Sequence, residues 1–173
     1  MLVENTTRRS IFIGAGANLA HPTYGCPRAT LEAALRDLGR KGVQIHRVAP
    51  WYRSAPVPAS DQPWYLNTVA EVGTDLSADR LLAALHAVEQ AFGRVRTVAN
   101  AARAIDLDLL DFRGEIAGGG PGQAILPHPR LADRAFVLMP LADLAPRWRH
   151  PVTGQRIEAL LQALPSGQST QRL

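Results

Sequence analysis

Asp106 and Asp108 are the residues whose type and spacing most plainly suggest chemistry. They stand in Ala104-Ile105-Asp106-Leu107-Asp108-Leu109-Leu110-Asp111-Phe112, an apolar run interrupted by acids. From Ile105 to Leu109 apolar and acidic residues alternate strictly, which predicts a strand with two unlike faces. The two carboxylates then point the same way, their Cα atoms roughly 6–7 Å apart at ~3.3 Å per residue. Two carboxylates ~5 Å apart repel by about 3 kcal/mol at an effective dielectric near 20. A cation removes that strain, and Mg²⁺ favours carboxylate oxygens together with substrate phosphates over an all-protein cage. Arg94, Arg96 and Arg103 lie just upstream and could hold those phosphates from another side. The plainer alternative is that the acids form the wet face of an edge strand, and spacing alone leaves both readings open. A calcium loop is excluded, because Leu110 and Asp111 stand where the EF-hand pattern needs an oxygen ligand and a glycine.

The elements that must carry this strand can be traced in order. Residues 1–7 read as a frayed polar tail. Ser10-Ile11-Phe12-Ile13 reads as a first strand, ended by a tight turn at Gly14-Ala15-Gly16-Ala17-Asn18. A dinucleotide fingerprint is broken there, since Leu19 holds the third glycine position and Pro22 and Pro27 delay any helix. Arg28 to Leu38 places Leu31, Ala34, Leu35 and Leu38 on one helical face. A second strand runs from Val43 to Arg53, then a stiff proline-rich loop from Ser54 to Pro63. Tyr65 to Val72 is a third strand. Ser77 caps a helix striped by Leu81, Leu85, Val88 and Phe92 and closed by Gly93. The order βαββαβ predicts an α+β, ferredoxin-like sandwich with two helices on an antiparallel sheet. A C-terminal helical extension follows, with helices near Ala135–Leu144 and Arg156–Leu164, behind a Pro127-His128-Pro129 corner.

With 173 residues, a single domain spanning 1–173 is expected. The 46% hydrophobic and 20% charged composition is that of a soluble protein, with no stretch long enough to cross a bilayer. A net charge of +4 suits an anionic partner. Only Lys41 of the nineteen basic residues is a lysine, a bias that carries no functional weight by itself. The single Cys26 excludes an internal disulfide and fits a reducing, cytoplasmic setting. Thr7-Arg8-Arg9-Ser10 imitates a twin-arginine export signal, but no small-x-small cleavage site follows.

Several stretches together resemble the 6-hydroxymethyl-7,8-dihydropterin pyrophosphokinases of folate biosynthesis. They are Ile13-Gly14 with Gly16-Ala17-Asn18-Leu19, Trp51-Tyr52-Arg53-Ser54-Ala55-Pro56-Val57, and Asp61-Gln62-Pro63 with Tyr65-Leu66-Asn67. Glu89 with Gly93-Arg94-Val95-Arg96, Arg103-Ala104-Ile105-Asp106-Leu107-Asp108, and Pro127-His128 with Arg134-Ala135-Phe136 complete the series. The resemblance runs from about residue 10 to 145. It implies transfer of pyrophosphate from ATP to the pterin hydroxymethyl oxygen, releasing AMP. It also implies two Mg²⁺ ions on Asp106 and Asp108, and catalytic arginines at Arg94 and Arg103. Arg96, His128, Arg134 and Glu89 fall at ATP contacts. Ser54, Ala55, Val57, Tyr65, Asn67 and Phe136 fall at the pterin pocket, with Tyr65 and Phe136 stacking on the ring. Small-molecule partners, no nucleic acid, no membrane and a monomer are expected.

Two departures from the family pattern bear on the nucleotide. Thr97-Val98-Ala99-Asn100-Ala101-Ala102 lacks the Trp-Gly-Pro of many members, and His86 and Pro129 replace a common Gln and Tyr. The main rival is a basic RNA-binding module of the same element order, but the third strand lacks that fold's aromatic motif. A non-catalytic member of the fold is the other alternative, against which both acids and both arginines speak.

Overall fold

A computed structural model of the chain describes residues 10–94 and 102–173. The expected tail at 1–7 and Arg96 therefore lie outside the described residues. The elements run β1 (Ile11–Ala17), α1 (Pro27–Arg40), β2 (Gln44–Val48), β3 (Tyr52–Ser54), β4 (Tyr65–Gly73), α2 (Ala78–Ala91) and β5 (Asp106–Phe112). After them come a two-strand ribbon of β6 (Ala117–Gly118) and β7 (Ile125–Leu126), α3 (Ala135–Leu144), α4 (Ile157–Gln162) and β8 (Thr170–Arg172).

Helical periodicity explains α1 and α2. Leu31, Ala34, Leu35 and Leu38 are all buried, as are Leu81, Leu85 and Val88. Pro27 opens α1 at its first turn, where a missing N–H costs nothing. Ser77 Oγ accepts the Arg80 N–H at 3.3 Å and caps α2. The far end of α2 is a Schellman turn: Gly93, at φ +78°, donates to Gln90 O, and Arg94 N–H reaches Glu89 O, both at 3.0 Å. A left-handed glycine thus folds Arg94 back over the last turn.

The sheet is antiparallel in the order β5-β1-β4, with β2 and β3 on the far side of β4 and β8 outside β3. This is the expected ferredoxin-like sandwich, and two expectations change. The second strand is two: β2 pairs with Ala70–Gly73 and β3 with Tyr65–Asn67. Pro50 lies in the break between them and has no N–H to offer a ladder. The Gly14-Ala15-Gly16 stretch is not a turn, because β1 continues in register with β4 to Ala17 and stays paired with β5 to Gly16.

Strand alternation then divides the molecule. Ile13, Leu107 and Leu109 pack under α1 and α2, whereas Phe12, Val69 and Leu110 face α3 and α4. The extension thus builds a third layer. Trp148 Nε1 donates to the buried Asp111 Oδ2 at 2.7 Å, pinning that layer to β5. It covers only part of the second face, and beyond its edge the face opens into a cleft.

Candidate active site

The cleft has a volume of about 1260 Å³ and exposes Asp106 and Asp108 at its floor. That is room for two small molecules. Both acids are half-buried, while Leu107 between them is 1% exposed, as the alternation requires. Gly16 and Gly14 of β1 lie directly opposite Asp106 and Asp108. A Cβ on Gly16 would stand 2.9 Å from Asn67 Oδ1, so the glycine makes room for that amide. Here is the use of the Gly-x-Gly that does not build a dinucleotide turn.

Asp106 is closely compensated. Arg94 Nη1 donates to Asp106 Oδ1 and to Glu89 Oε1, and Arg103 Nη1 lies 3.0 Å from Asp106 Oδ2. Glu89 is placed differently from the other expected residues. It is not among the cleft-lining residues but is 1% exposed beneath the strand, where Oε1 also accepts the Leu107 N–H at 2.8 Å. A buried carboxylate must be paired, and this one ties α2 to β5 and fixes Arg94 between two acids.

Asp108 is compensated from farther away, by Arg134 Nη1 at 3.7 Å and His128 Nε2 at 3.8 Å. Burial first, and the Asp106 charge second, push the Asp108 carboxyl up to about 6. His128 is pushed down to about 4, by burial and then by the Arg134 guanidinium, so the ring is neutral at pH 7. Its Nδ1 accepts the Arg130 N–H at 3.1 Å, which puts the remaining ring proton on Nε2, facing the acids. The same burial, with Arg130 nearby, holds Arg134 below its usual value.

On the opposite wall, Ser54, Ala55, Val57, Tyr65, Asn67 and Phe136 all line the cleft. Asn67 Nδ2 donates to Ser54 Oγ at 2.8 Å, which sets the amide's orientation. Ala55 N–H is taken by Ser169 O at 3.0 Å, so a ligand meets that residue through other atoms. Sequence reasoning gave no role to Asn18, which is 4% exposed at the end of β1. Its Oδ1 accepts the Arg103 N–H at 2.8 Å, and its Nδ2 donates to Gln62 Oε1 and Pro63 O. It joins the arginine segment to the proline-rich loop. A lone polar residue closing an apolar strand was the available signal.

The structure thus brings together every described residue expected at the site, with Glu89 behind it rather than in it. Among the described residues no group of three His, Cys, Asp or Glu side chains is arranged to hold a metal. Two carboxylates alone suit a hard ion that keeps waters and phosphate oxygens as its other ligands.

The family model for 7,8-dihydro-6-hydroxymethylpterin-pyrophosphokinase matches residues 12–146. The chain belongs to that family. It is 40% identical over 156 residues to the 2-amino-4-hydroxy-6-hydroxymethyldihydropteridine pyrophosphokinase of Pseudomonas aeruginosa, covering 90% of this chain and 91% of that one. The Synechocystis protein of the same name is 35% identical, covering 87% and 73%. The folic acid synthesis protein fol1 of Schizosaccharomyces pombe is 32% identical across 94% of this chain, which spans only 21% of that protein. Among solved structures, a Plasmodium falciparum HPPK-DHPS triple mutant superposes with a TM-score of 0.66 at 14% identity, covering 92% of this chain and 45% of that one. At such identity the likeness is one of fold. Family membership does not favour the RNA-binding alternative. No helix among the described residues is long and apolar enough to cross a membrane.

Proposed function

We propose that this chain transfers the pyrophosphoryl group of ATP to the hydroxymethyl oxygen of 6-hydroxymethyl-7,8-dihydropterin, releasing AMP. The observation that carries the reading is the pair Asp106 and Asp108 on one floor of a cleft ringed by Arg94, Arg103, Arg134 and His128, in a chain of the pyrophosphokinase family. The hydroxymethyl oxygen forms a bond to the β-phosphorus. The bond from that phosphorus to the α-bridging oxygen breaks, and AMP leaves with the electron pair. The hydroxyl proton passes to solvent.

Asp106 and Asp108 would hold magnesium, two ions on the family pattern, which supplies charge neutralisation on the phosphates and lowers the barrier to attack. The chain's own groups do the rest by positioning and electrostatics. Arg94 and Arg103 already lean on Asp106 and are poised to share their charge with a phosphate. His128, neutral and with Nε2–H toward the acids, donates a hydrogen bond without adding charge. Arg134 offsets the phosphate next to Asp108, and Arg96 is assigned to the nucleotide by sequence position. Asn67 offers donor and acceptor to the pterin edge. Tyr65 and Phe136 cover its faces, and Ser54, Ala55 and Val57 border it. The reading includes a cytoplasmic monomer with neither nucleic-acid nor membrane partners.

The deciding experiment mixes the protein with Mg·ATP and the reduced hydroxymethylpterin and resolves the nucleotides. AMP formed in step with pterin diphosphate supports the proposal. ADP, or no pterin-dependent turnover, ends it.

A further inference from the structure

The chain beyond residue 146 lies outside the matched family region, yet it returns to the cleft. Pro165, Ser166, Gly167 and Gln168 line one side of it. Gln168 makes two bonds across 33 and 35 positions of sequence. Its Oε1 accepts the Ala135 N–H at 2.9 Å, and its Nε2 donates to Asp133 O at 2.8 Å. Ala135 is the first residue of α3, and the N-cap residue Arg134 makes no capping bond with its own side chain. Gln168 therefore supplies from a distance the cap that the local sequence lacks.

The bracketed peptide is Asp133-Arg134-Ala135-Phe136, which carries both a cation beside Asp108 and a ring that borders the cleft. The next residue, Ser169, accepts the Ala55 N–H on the opposite wall, and β8 continues the pairing along β3. Farther on, Arg172 Nη1 lies 3.6 Å from Asp143 of α3. The segment 165–172 is thus bonded to both walls, one through β3 and the other through α3.

We infer that Gln168 is a positioning residue for both substrates: it fixes the start of α3, and with it Arg134 and Phe136, against the wall held by β8. This inference rests on the pyrophosphokinase reading. Gln168 need not touch the reacting atoms, so its loss should weaken binding of ground and transition states alike. That raises KM and leaves kcat nearly unchanged.

The test compares the full chain with Q168M, which keeps volume and loses both bonds. KM for Mg·ATP and for the pterin should each rise about tenfold, with kcat within threefold of wild type. Titration with the α,β-methylene analogue of ATP in magnesium should show the same tenfold weakening without turnover. Q168E keeps the acceptor for the Ala135 N–H but sets a carboxylate oxygen against Asp133 O in place of the donor. Should Q168M fail to fold, Q168E is the variant read in its place, and it too should raise both KM values about tenfold. As a control, Gln171→Leu removes an exposed bond to Arg53 and should leave both KM values within twofold. A merely structural role predicts a lower melting temperature with unchanged KM. Unchanged KM values in whichever Gln168 variant folds therefore overturn the inference. Absence of AMP formation by wild type would instead strike at the proposed function itself.

Discussion

Asp108→Asn should make the ligand-free protein more stable and, at the same time, inactive. Two carboxylates on adjacent same-face positions of one strand cannot move apart, and Asp108 is the less compensated of the two. Its carboxyl is pushed from 3.8 up to about 6, burial being the larger cause and Asp106 the next. A folded-state value above the unfolded one means that folding favours the protonated form. The associated stability is complete below about pH 3.8 and is lost as pH rises through 6. A rise of that size corresponds to about 3 kcal/mol. The side chain is 32% exposed, and solvent screening brings this to about 1–2 kcal/mol. An amide of the same shape has no such titration. Urea unfolding in EDTA at pH 8 should therefore show the variant more stable by about 1–2 kcal/mol, and the gap should close below pH 4. Mg·ATP at a hundredfold its Kd should then stabilise wild type by about 2.7 kcal/mol and the variant scarcely at all. A variant no more stable than wild type at pH 8 would refute the electrostatic reasoning. Equal stabilisation of both proteins by Mg·ATP would refute the metal role.

Glu89→Gln keeps an acceptor for Leu107 N–H but removes the charge holding Arg94. A charge-assisted bond is worth about 1.5–3 kcal/mol, so kcat/KM should fall about ten- to a hundredfold in steady-state assays. Gly16→Ala drives a Cβ toward Asn67 Oδ1. Calorimetric titration should find pterin affinity reduced about tenfold, while that for nucleotide is unchanged. Asp111→Ala orphans the Trp148 indole N–H and the Gly114 N–H. It should cost about 3 kcal/mol in urea with activity per folded molecule preserved. Tyr52, whose hydroxyl donates to Asp143 at 2.6 Å, is pushed up to about 12 by burial and by that acid. Its contribution is complete below pH 10 and is lost between 10 and 12. Tyr52→Phe should remove this alkaline limb and lower stability at pH 7 by about 1 kcal/mol.

The helices and the acidic strand were legible because their signals are local. Leu31 to Leu38 and Leu81 to Phe92 repeat at helical spacing, and Ile105 to Leu109 alternates. β8 carries no such signal, and β3 reads in sequence as the end of one long second strand. Each is three residues long, and they pair across a separation that no window of sequence spans. The glycines of β1 misled because the use of Gly16 depends on Asn67, a residue of another strand. The acids and the arginines upstream of them were legible from type and spacing, but the pterin-side residues only through resemblance, since nothing in the run around Phe136 distinguishes a cleft ring from a core one. Glu89, which the resemblance sets among the ATP contacts, lies behind the acidic strand as the partner of Arg94 and the Leu107 N–H. Its burial is set by how α2 packs on β5, and its position on α2 says only that it lies one turn from Gly93.

The two acids are unlike in a way that bears on the order of events. Asp106 meets two guanidinium groups at close range, and one of them, Arg94, is locked by a helix-ending turn and by Glu89. Asp108 meets Arg134 and a neutral imidazole from nearly 4 Å. Of the two acids, Asp108 offers the larger uncompensated charge and would hold a divalent ion without an arginine first being displaced from it. Asp106 can become a full metal ligand only as Arg94 and Arg103 shift their bonds toward another anion. The phosphates of ATP are such an anion, so metal binding at Asp106 and nucleotide binding should be coupled, each raising the affinity for the other. The proposed two-ion site would then fill in sequence: one ion with Asp108 in the free protein, the second with the nucleotide. Isothermal titration of Mg²⁺ without ATP should give at most one site, lost in Asp108→Asn and kept in Asp106→Asn. Two sites of equal affinity in the absence of nucleotide would show that the arginines do not guard Asp106.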